Sequence, residues 1–296
     1  MSSKDRVRLH TVEPVFLCAI NARYNHTNIA VRSIVYYVRE QFLKNNITNP
    51  NSGTNHKDIV HIDFGEWTIN EPVGAILRGV FEKSIHIKND GIDTVQNSRP
   101  LILFSVYIWN VDIVFKVIRE LKKIIPTCIL AVGGPEVSYR VNEVFEELPE
   151  LDFIISGEGE HTVFEVVKEW TNLHSSTNKH EFLETITKIA GVYVSGYDTT
   201  TVLFRQPFKD LSVLPFPYPQ LTQKTDKNSL NGEYIDPDNK IFYYESSRGC
   251  PFNCAYCLSS IDKTMRFMPL DRVFADLQRF LDAHVKLVKF VDRTFN

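Results

Sequence analysis

The chain lacks the features that direct a protein to a membrane, to nucleic acid or out of the cell. Its first fourteen residues, MSSKDRVRLHTVEP, contain no apolar stretch like that of a signal peptide, and no apolar run is long enough to span a bilayer. The net charge of −3 gives no basic surface for nucleic acid or anionic lipid. Five cysteines, three of them clustered, do not form a secreted disulfide framework. We therefore expect a cytoplasmic protein with neither nucleic acid nor a membrane as its partner.

A glycine-rich dinucleotide motif is also missing. The first apolar run, 15–20, leads into NARYNHTN at 21–28, which contains no GxGxxG. A pyrophosphate would find no close-packed glycine turn at a helix start, so a dinucleotide site is disfavoured. Cys18 and Cys128 lie in apolar runs and are expected to be small buried residues.

Short apolar runs alternate with helical patterns through the first half of the chain. This alternation is typical of a parallel sheet wrapped by helices. It predicts a doubly wound, Rossmann-like α/β domain over 1–190, with a polar surface loop at 44–57 and a polar connecting segment at 171–188. The predicted strands are 15–20, 59–64, 101–106, 128–132 and 153–156, and the predicted helices include 72–84 and 112–125.

A second unit is predicted after a connecting region at 191–240. Two alternating runs around SGYD at 195–198 indicate a hairpin within 191–205, and Pro207, Pro215, Pro217 and Pro219 indicate a stiff linker. The remainder, 241–296, contains a strand, a cysteine-bearing loop, a helix at 270–284 and a strand at 286–291. One strand–helix–strand repeat of this kind begins a (β/α) barrel, which the sequence leaves incomplete.

The strongest chemical signal is the segment SRGCPFNCAYC at 247–257. Cys250, Cys254 and Cys257 have the spacing CxxxCxxC, which allows three thiolates to bind three irons of a [4Fe-4S] cluster and leaves the fourth iron open. Structural zinc is the alternative, but it needs four ligands, and no fourth cysteine follows. A redox CxxC is less favoured, because the residues around Cys254 and Cys257 do not resemble thioredoxin.

The string ESSRGCPFNCAYCLSS at 245–260 resembles the radical S-adenosylmethionine (SAM) superfamily, in the subgroup that carries an amino-terminal cobalamin-binding domain. The strings YNHTNIAVRS, VGGPEVSYR, SGEGE and VDRTFN match the pattern of one part of that subgroup. The resemblance implies a radical SAM barrel, a [4Fe-4S] cluster that cleaves SAM to a radical, cobalamin as a possible methyl donor, a small-molecule substrate, and an electron donor of flavodoxin or ferredoxin type. The substrate itself is not implied.

The resemblance also implies which residues border the cofactors. Tyr256 would lie beside the adenine of SAM or shield the cluster. The DxHxxG element is absent, which implies cobalamin with a displaced base. The cobalamin contacts would be Tyr24, Asn25, His26, Thr27, Ser105, Tyr107, Gly133, Gly134, Glu136, Ser138, Gly157, Glu158, Gly159 and Glu160.

The residues alone leave simpler alternatives open. The glycines suit tight turns, Tyr107 suits packing, His26 suits hydrogen bonding, and Glu158 and Glu160 suit helix capping. Arg248 suits an anchor of the cysteine loop, and the Asp292–Arg293 pair suits either SAM contact or a salt-bridged strand end. Three hypotheses remain at this stage. They are the front part of a cobalamin-dependent radical SAM enzyme, a binding module that is catalytically incomplete, and a zinc-stabilised α/β protein.

Overall fold

The computed structural model describes residues 14–47, 61–85, 99–172, 178–222 and 235–293. Parts of several sequence predictions lie outside these described residues. They are the chain start at 1–13, the loop positions 48–57, the strand positions 59–60, the connecting positions 173–177, the linker positions 223–234 and the last three residues, 294–296.

A six-stranded sheet forms the centre of the first unit. Its strands are β1 (Val15–Asn21), β2 (Ile62–Thr68), β3 (Leu101–Ser105), β4 (Ile129–Gly133), β5 (Phe153–Ile155) and β6 (Val192–Val194). The strand order is β2-β1-β3-β4-β5-β6, with the first five strands parallel. All seven residues of β1 are buried, as expected for a continuous apolar strand covered on both faces. The prediction of a doubly wound α/β sheet is confirmed.

Helices cover both faces of the sheet and create two apolar cores. The helices are α1 (Ile29–Ile47), α2 (Val73–Ser84), α3 (Val111–Ile124), α4 (Val141–Glu147), α5 (Gly159–Asn172) and α6 (Lys179–Ile186). One core contains α2, α3 and α4, and the other contains α1, α5 and α6. The order of strands reverses between β1 and β3, so the carboxyl ends of these strands form the crevice in which such folds bind ligands.

Two sequence predictions about connections are wrong. Residues 179–186 are helical, although the polar composition of 171–188 favoured a connecting segment. The helix at 141–147 was not predicted. The hairpin predicted within 191–205 does not form, because Val192–Val194 pairs antiparallel with β5 and 202–208 has no regular structure. A long-range partner therefore outcompetes the local one.

The predicted proline linker is instead a packed segment. Two short 3₁₀ turns, Leu211–Val213 and Pro219–Thr222, interrupt it. Its apolar side chains enter a third core with the elements of the second unit. The buried members from this segment are Leu211, Leu214, Phe216 and Tyr218.

The second unit consists of short elements around the cysteines. They are β7 (Phe242–Tyr244), β8 (Ser247–Arg248), β9 (Arg266–Phe267), α7 (Leu270–Asp282) and β10 (Val288–Phe290). β7 and β10 pair in parallel with α7 between them, which is one strand–helix–strand repeat. β8 and β9 pair antiparallel. Continuation of this repeat into a barrel, and the domain boundaries at 190 and 240, stay predictions.

No helix within the described ranges is long and apolar enough to cross a membrane.

Candidate functional site: the carboxyl edge and the cysteine loop

Two adjoining cavities open where the carboxyl ends of the parallel strands meet the second unit. Their volumes are about 730 and 500 Å³, within the range of small-molecule sites. Both are lined by Tyr107, Glu158, Gly159 and Arg293, so they share a wall. The larger is also lined by His26, Thr27 and Glu160, and the smaller by Ser105, Gly133, Gly134, Ser138 and Gly157. Eleven predicted cofactor contacts therefore lie along one continuous space.

Four predicted contacts do not line either of these two cavities. They are Tyr24, Asn25, Glu136 and Tyr256. Tyr24 and Tyr256 are instead largely exposed, Tyr256 at 93%. Their assignment to a cofactor stays a prediction.

The turn after β4 requires a glycine. Gly134 has φ +118°, and a Cβ built on it would overlap the carbonyl oxygen of Val106. The backbone of Val106 is fixed in turn, since its N–H donates to the carbonyl of Gly133 at 2.8 Å. The Ser138 hydroxyl donates to the Gly134 carbonyl at 2.8 Å, which holds the next turn against the same point. The turn thus explains Gly134 without a ligand, and it also keeps one side of the smaller cavity free of side chains.

The loop after β3 is held by a residue whose role the sequence analysis missed. The buried Asn110 side chain accepts from the Tyr107 N–H at 2.8 Å, and it donates to the carbonyls of Ile20 at 2.9 Å and Ser105 at 3.1 Å. An asparagine directly before a helix that follows a strand was the available signal. Tyr107 stacks on Trp109 with ring centroids 4.4 Å apart, and burial raises the pKa of Tyr107. Tyr107 thus lines both cavities, and Trp109 extends the aromatic surface along the larger one.

The loop after β1 joins the first unit to β7. The Ile241 N–H donates to the Asn25 carbonyl at 2.7 Å, and the Thr27 N–H donates to the Ile241 carbonyl at 3.2 Å. His26 Nδ1 lies 3.3 Å from the Tyr243 hydroxyl. Burial lowers the pKa of His26, as do the nearby cations Lys289, Arg23 and Lys240. The structure thus gives His26 the hydrogen-bonding contact that the sequence analysis named as the simpler alternative.

Tyr218, from the proline-rich segment, closes this junction. Its buried hydroxyl donates to the Tyr243 carbonyl at 2.8 Å, accepts from the Tyr243 N–H at 3.0 Å, and lies 2.9 Å from the Thr27 Oγ. Burial raises the pKa of Tyr218 to about 12. The ring packs edge-on against Phe242 and at a tilt against Phe280. Sequence reasoning had no signal for this role, because the partners are far apart in the chain.

The three cysteines lie in one loop, residues 249–265, which we call the cysteine loop. β8 enters it and β9 leaves it. Gly249 has φ +92°, and a Cβ there would overlap the carbonyl oxygen of Thr264 on the returning strand. Cys250 is buried and donates its N–H to the Asp262 carbonyl at 2.9 Å, while Cys254 and Cys257 are partly exposed. The tight start of the loop thus explains the glycine before the first cysteine.

The cysteine loop contains the ligands for a cluster, but its three thiols are not arranged around one point. In the described part of the chain, no three His, Cys, Asp or Glu side chains are placed so that they could hold a metal ion. The three thiols therefore share a loop without meeting at one point. As a donor set, three cysteines within eight residues fit a cluster with three protein ligands better than four-coordinate zinc. The cysteine loop also borders the larger cavity through Gly249, Ser259 and Asp262.

Buried ion pairs connect the cysteine loop to the Gly157–Glu160 turn. Arg248 donates to Glu160 at 2.6 Å and to Glu245 at 2.8 Å. Burial alone would raise the pKa of Glu160, but the Arg248 guanidinium, together with hydrogen bonds that include the Ser33 hydroxyl, holds it below its usual value. The pKa of Glu245 is raised by burial, which its bond to Arg248 only partly offsets. Arg248 thus anchors the cysteine loop, as one alternative predicted. The residue to which it is bound, Glu160, lies in the first unit.

The Asp292 carboxylate, just after β10, binds the two serines that precede Arg248. It accepts from the Ser246 N–H at 2.8 Å, from the Ser246 hydroxyl, and from the Ser247 N–H at 3.2 Å. Asp292 therefore fixes the strand that leads into the cysteines. The neighbouring Arg293 lines both cavities instead.

Comparison with known proteins places these features in context. Residues 88–167, which contain β3 to β5, match the family described as the B12 binding domain. The chain is also similar to 2-(S-pantetheinyl)-carbapenam-3-carboxylate methyltransferase of Streptantibioticus cattleyicolor, 27% identical over 199 residues, which are 66% of this chain and 27% of that protein.

Two further relatives have related descriptions. The cobalamin-dependent radical SAM methyltransferase TokK of Streptomyces tokunonensis is 25% identical over 66% of this chain and 27% of its own length. The anaerobic magnesium-protoporphyrin IX monomethyl ester cyclase of Synechocystis sp. is 28% identical over 49% of this chain and 26% of its own length. The matched part of this chain thus spans about a quarter of the length of these relatives.

Proposed function

We propose, from the premise that the chain belongs to the cobalamin-binding subgroup of the radical SAM proteins, that it forms the cofactor-binding front part of an enzyme. That enzyme would cleave SAM reductively at a [4Fe-4S] cluster and use the radical on a small-molecule substrate, with methyl transfer as the favoured reaction. The two relatives described as methyltransferases match 66% of this chain and the cyclase matches 49% of it, and this longer match is the ground for preferring methyl transfer to ring closure.

The observation that carries the proposal is the shared cavity wall. Gly249, Ser259 and Asp262 of the cysteine loop line the same space as His26, Tyr107 and Gly159 from the strand ends of the first unit. A cofactor on the carboxyl edge of the sheet would therefore face a cofactor on the cysteine loop without an intervening layer of protein. Two cofactors that act in one reaction need this proximity.

The residues around the cavity have defined roles in this proposal. Cys250, Cys254 and Cys257 would hold the cluster, which supplies the electron for cleaving SAM, while cobalamin on the carboxyl edge supplies the methyl group. The stacked Tyr107 and Trp109 form an apolar wall, and apolar walls exclude water from radical chemistry. An external electron donor of flavodoxin or ferredoxin type belongs to the same proposal.

His26 has a supporting role. Its lowered pKa keeps the imidazole neutral near pH 7, and its Nδ1 contacts the Tyr243 hydroxyl. We assign it to the orientation of β7 against the first unit and not to cobalt.

A second candidate is a cobalamin-binding module that does not bind SAM by itself. It is favoured by one observation, that the described second unit contains a single parallel strand–helix–strand repeat. The zinc hypothesis is the weakest of the three, because three thiols are one ligand short of a structural site.

The experiment is electron paramagnetic resonance of the chain after anaerobic reconstitution with iron and sulfide, reduction and titration with SAM. We expect a reduced four-iron signal that changes when SAM is added. A signal indifferent to SAM would favour the module, and bound zinc without an iron signal would refute the radical assignment. Cys254→Ala should abolish the signal, whereas Cys128→Ala, at a buried thiol whose pKa burial raises to about 11, should leave it intact.

Cobalamin binding is tested separately by ultrafiltration with hydroxocobalamin. Ser138→Phe places a ring in the smaller cavity and should weaken binding. Thr201→Phe adds the same ring at an exposed site outside both cavities and should not weaken binding. Equal affinities of the two variants would place cobalamin elsewhere.

A further inference from the structure

The entry and exit of the cysteine loop face each other as two arginines. β8 and β9 pair antiparallel, and Arg248 stands directly opposite Arg266 in their register. We call this residue pair the neck of the cysteine loop. Like charges at opposite positions of a ladder repel each other and destabilise the pairing. Both side chains are also largely buried, which weakens the screening by water.

A carboxylate from the other unit lies between the two arginines. Glu158 Oε1 is 2.6 Å from Arg266 Nη1 and 3.5 Å from Arg248 Nη1. Its other oxygen accepts from the Phe208 N–H at 2.8 Å, which fixes the carboxylate. Glu158 therefore neutralises the repulsion that the neck would otherwise contain.

A second carboxylate completes the arrangement. Glu160, only 5% exposed, receives the Arg248 Nη2 bond at 2.6 Å and the Ser33 hydroxyl bond at 3.0 Å. Asp262 pairs with Arg266 from within the cysteine loop. Each arginine of the neck thus has one acidic partner nearby in sequence, Glu245 or Asp262, and at least one from the Gly157–Glu160 turn.

We propose that Glu158 and Glu160 are positioning residues that close the neck of the cysteine loop, so that the cysteines are held in place only while the first unit is docked. Neither carboxylate needs to touch the cluster or SAM for this role. The inference rests on the proposed function only for the reason why the cysteines need to be held in place. The contacts of Arg248 and Arg266 themselves are present in the chain without cofactors.

The position of the turn gives the neck a connection to the cavities. Gly157 and Gly159 alternate with the two glutamates and line the smaller cavity. A ligand that moves this turn therefore moves the partners of Arg248 and Arg266 as well. Occupancy of the carboxyl edge and order of the cysteine loop are coupled through this one short segment.

The test uses the full chain without cofactors. Hydrogen exchange is measured over 249–265, together with the alkylation rate of Cys250, which is buried next to the neck. Glu158→Gln and Glu160→Gln remove one charge each with little change of shape. We expect exchange and alkylation to accelerate by roughly tenfold or more, because a buried charge loses its partner.

The matched control is Glu66→Gln. Glu66 forms a comparable buried pair with Arg32 at 2.7 Å, but within the first unit and away from the cysteine loop. It should lower the urea midpoint and leave exchange over 249–265 unchanged. The inference is overturned if Glu66→Gln opens the loop as much as Glu160→Gln does, or if the two neck variants leave Cys250 as protected as the unmodified chain.

Two further measurements distinguish this inference from the proposed function. They are the loop protection of Arg248 variants and the response of the reconstituted cluster to SAM. Arg248→Lys keeps the charge and should retain most of the loop protection, whereas Arg248→Met should lose it. A chain that passes these tests but shows no SAM-dependent signal would refute the proposed function and leave the neck standing. A chain with a normal SAM response and an unaltered loop in Glu160→Gln would refute the neck alone.

Discussion

The hydroxyl of Tyr218 offers the sharpest test of how the two units are joined. Tyr218→Phe keeps the ring and its contacts with Phe242 and Phe280, and removes only the group that bonds both the N–H and the carbonyl of Tyr243. Thr27 loses one contact but keeps its bond to the Ile241 carbonyl at 3.0 Å. The main loss is therefore the partner of a backbone N–H and of a backbone carbonyl that are both partly buried.

The magnitude follows from that loss. A buried donor or acceptor left without a partner costs about 1–3 kcal/mol, so we expect Tyr218→Phe to lower the free energy of unfolding by ~2 kcal/mol. The assay is urea denaturation followed by circular dichroism, with the midpoint and slope compared between variants.

The chain supplies a matched control in Tyr197. Its hydroxyl is buried and has no hydrogen-bond partner among the described residues. Tyr197→Phe removes an unsatisfied polar atom and should leave stability unchanged or slightly increased. A Tyr218→Phe variant as stable as the unmodified chain, or equal losses in both variants, would refute the assignment of the junction to this hydroxyl.

Two further predictions concern backbone strain and pH. Gly134→Ala should lower the free energy of unfolding by at least about 1–2 kcal/mol, since φ is +118° and the added Cβ overlaps the Val106 carbonyl. Gly74→Ala in α2 places its Cβ in open space and should raise the free energy of unfolding by about 0.5–1 kcal/mol. Thermal melts of both variants check this, and equal effects would contradict it. The folded chain holds the Tyr218 proton to about pH 12 against an ordinary pKa of 10.0, so this contribution to stability is complete below about pH 10 and is lost as pH rises towards 12. Urea midpoints measured across that range should fall, and the fall should be smaller in Tyr218→Phe; identical slopes would exclude this contribution.

The sheet was predictable because its signals are local. The apolar run at 15–20 is buried on both faces as β1, and the helical spacing within 112–125 corresponds to α3. The polar helices α4 and α6 were missed because their amphipathic patterns are short, with only Val144 buried in α4 and Phe182 and Ile186 in α6. Their helical state depends on packing against the sheet more than on composition.

The cysteines and the strand-end loops were also predictable, as motifs with fixed spacing. The connections between the units were not. Arg248 and Glu160 are 88 positions apart, and Tyr218 and Thr27 are 191 apart. No local pattern encodes such pairs, and the prolines around Tyr218 favoured an exposed linker where the chain is in fact packed.

The bonds around β7 decide in which direction its sheet can grow. On one edge, the Phe242 N–H and the Tyr244 carbonyl bond to the backbone beside β10. On the opposite edge, Ile241 is bonded by the loop after β1, and both backbone groups of Tyr243 are bonded by the Tyr218 hydroxyl. That edge has no backbone group left at these positions to receive another strand, as in edges that proteins protect against unwanted pairing. At these positions a further strand can therefore add only beyond β10, so that β7 is an edge strand of this sheet in the described part of the chain.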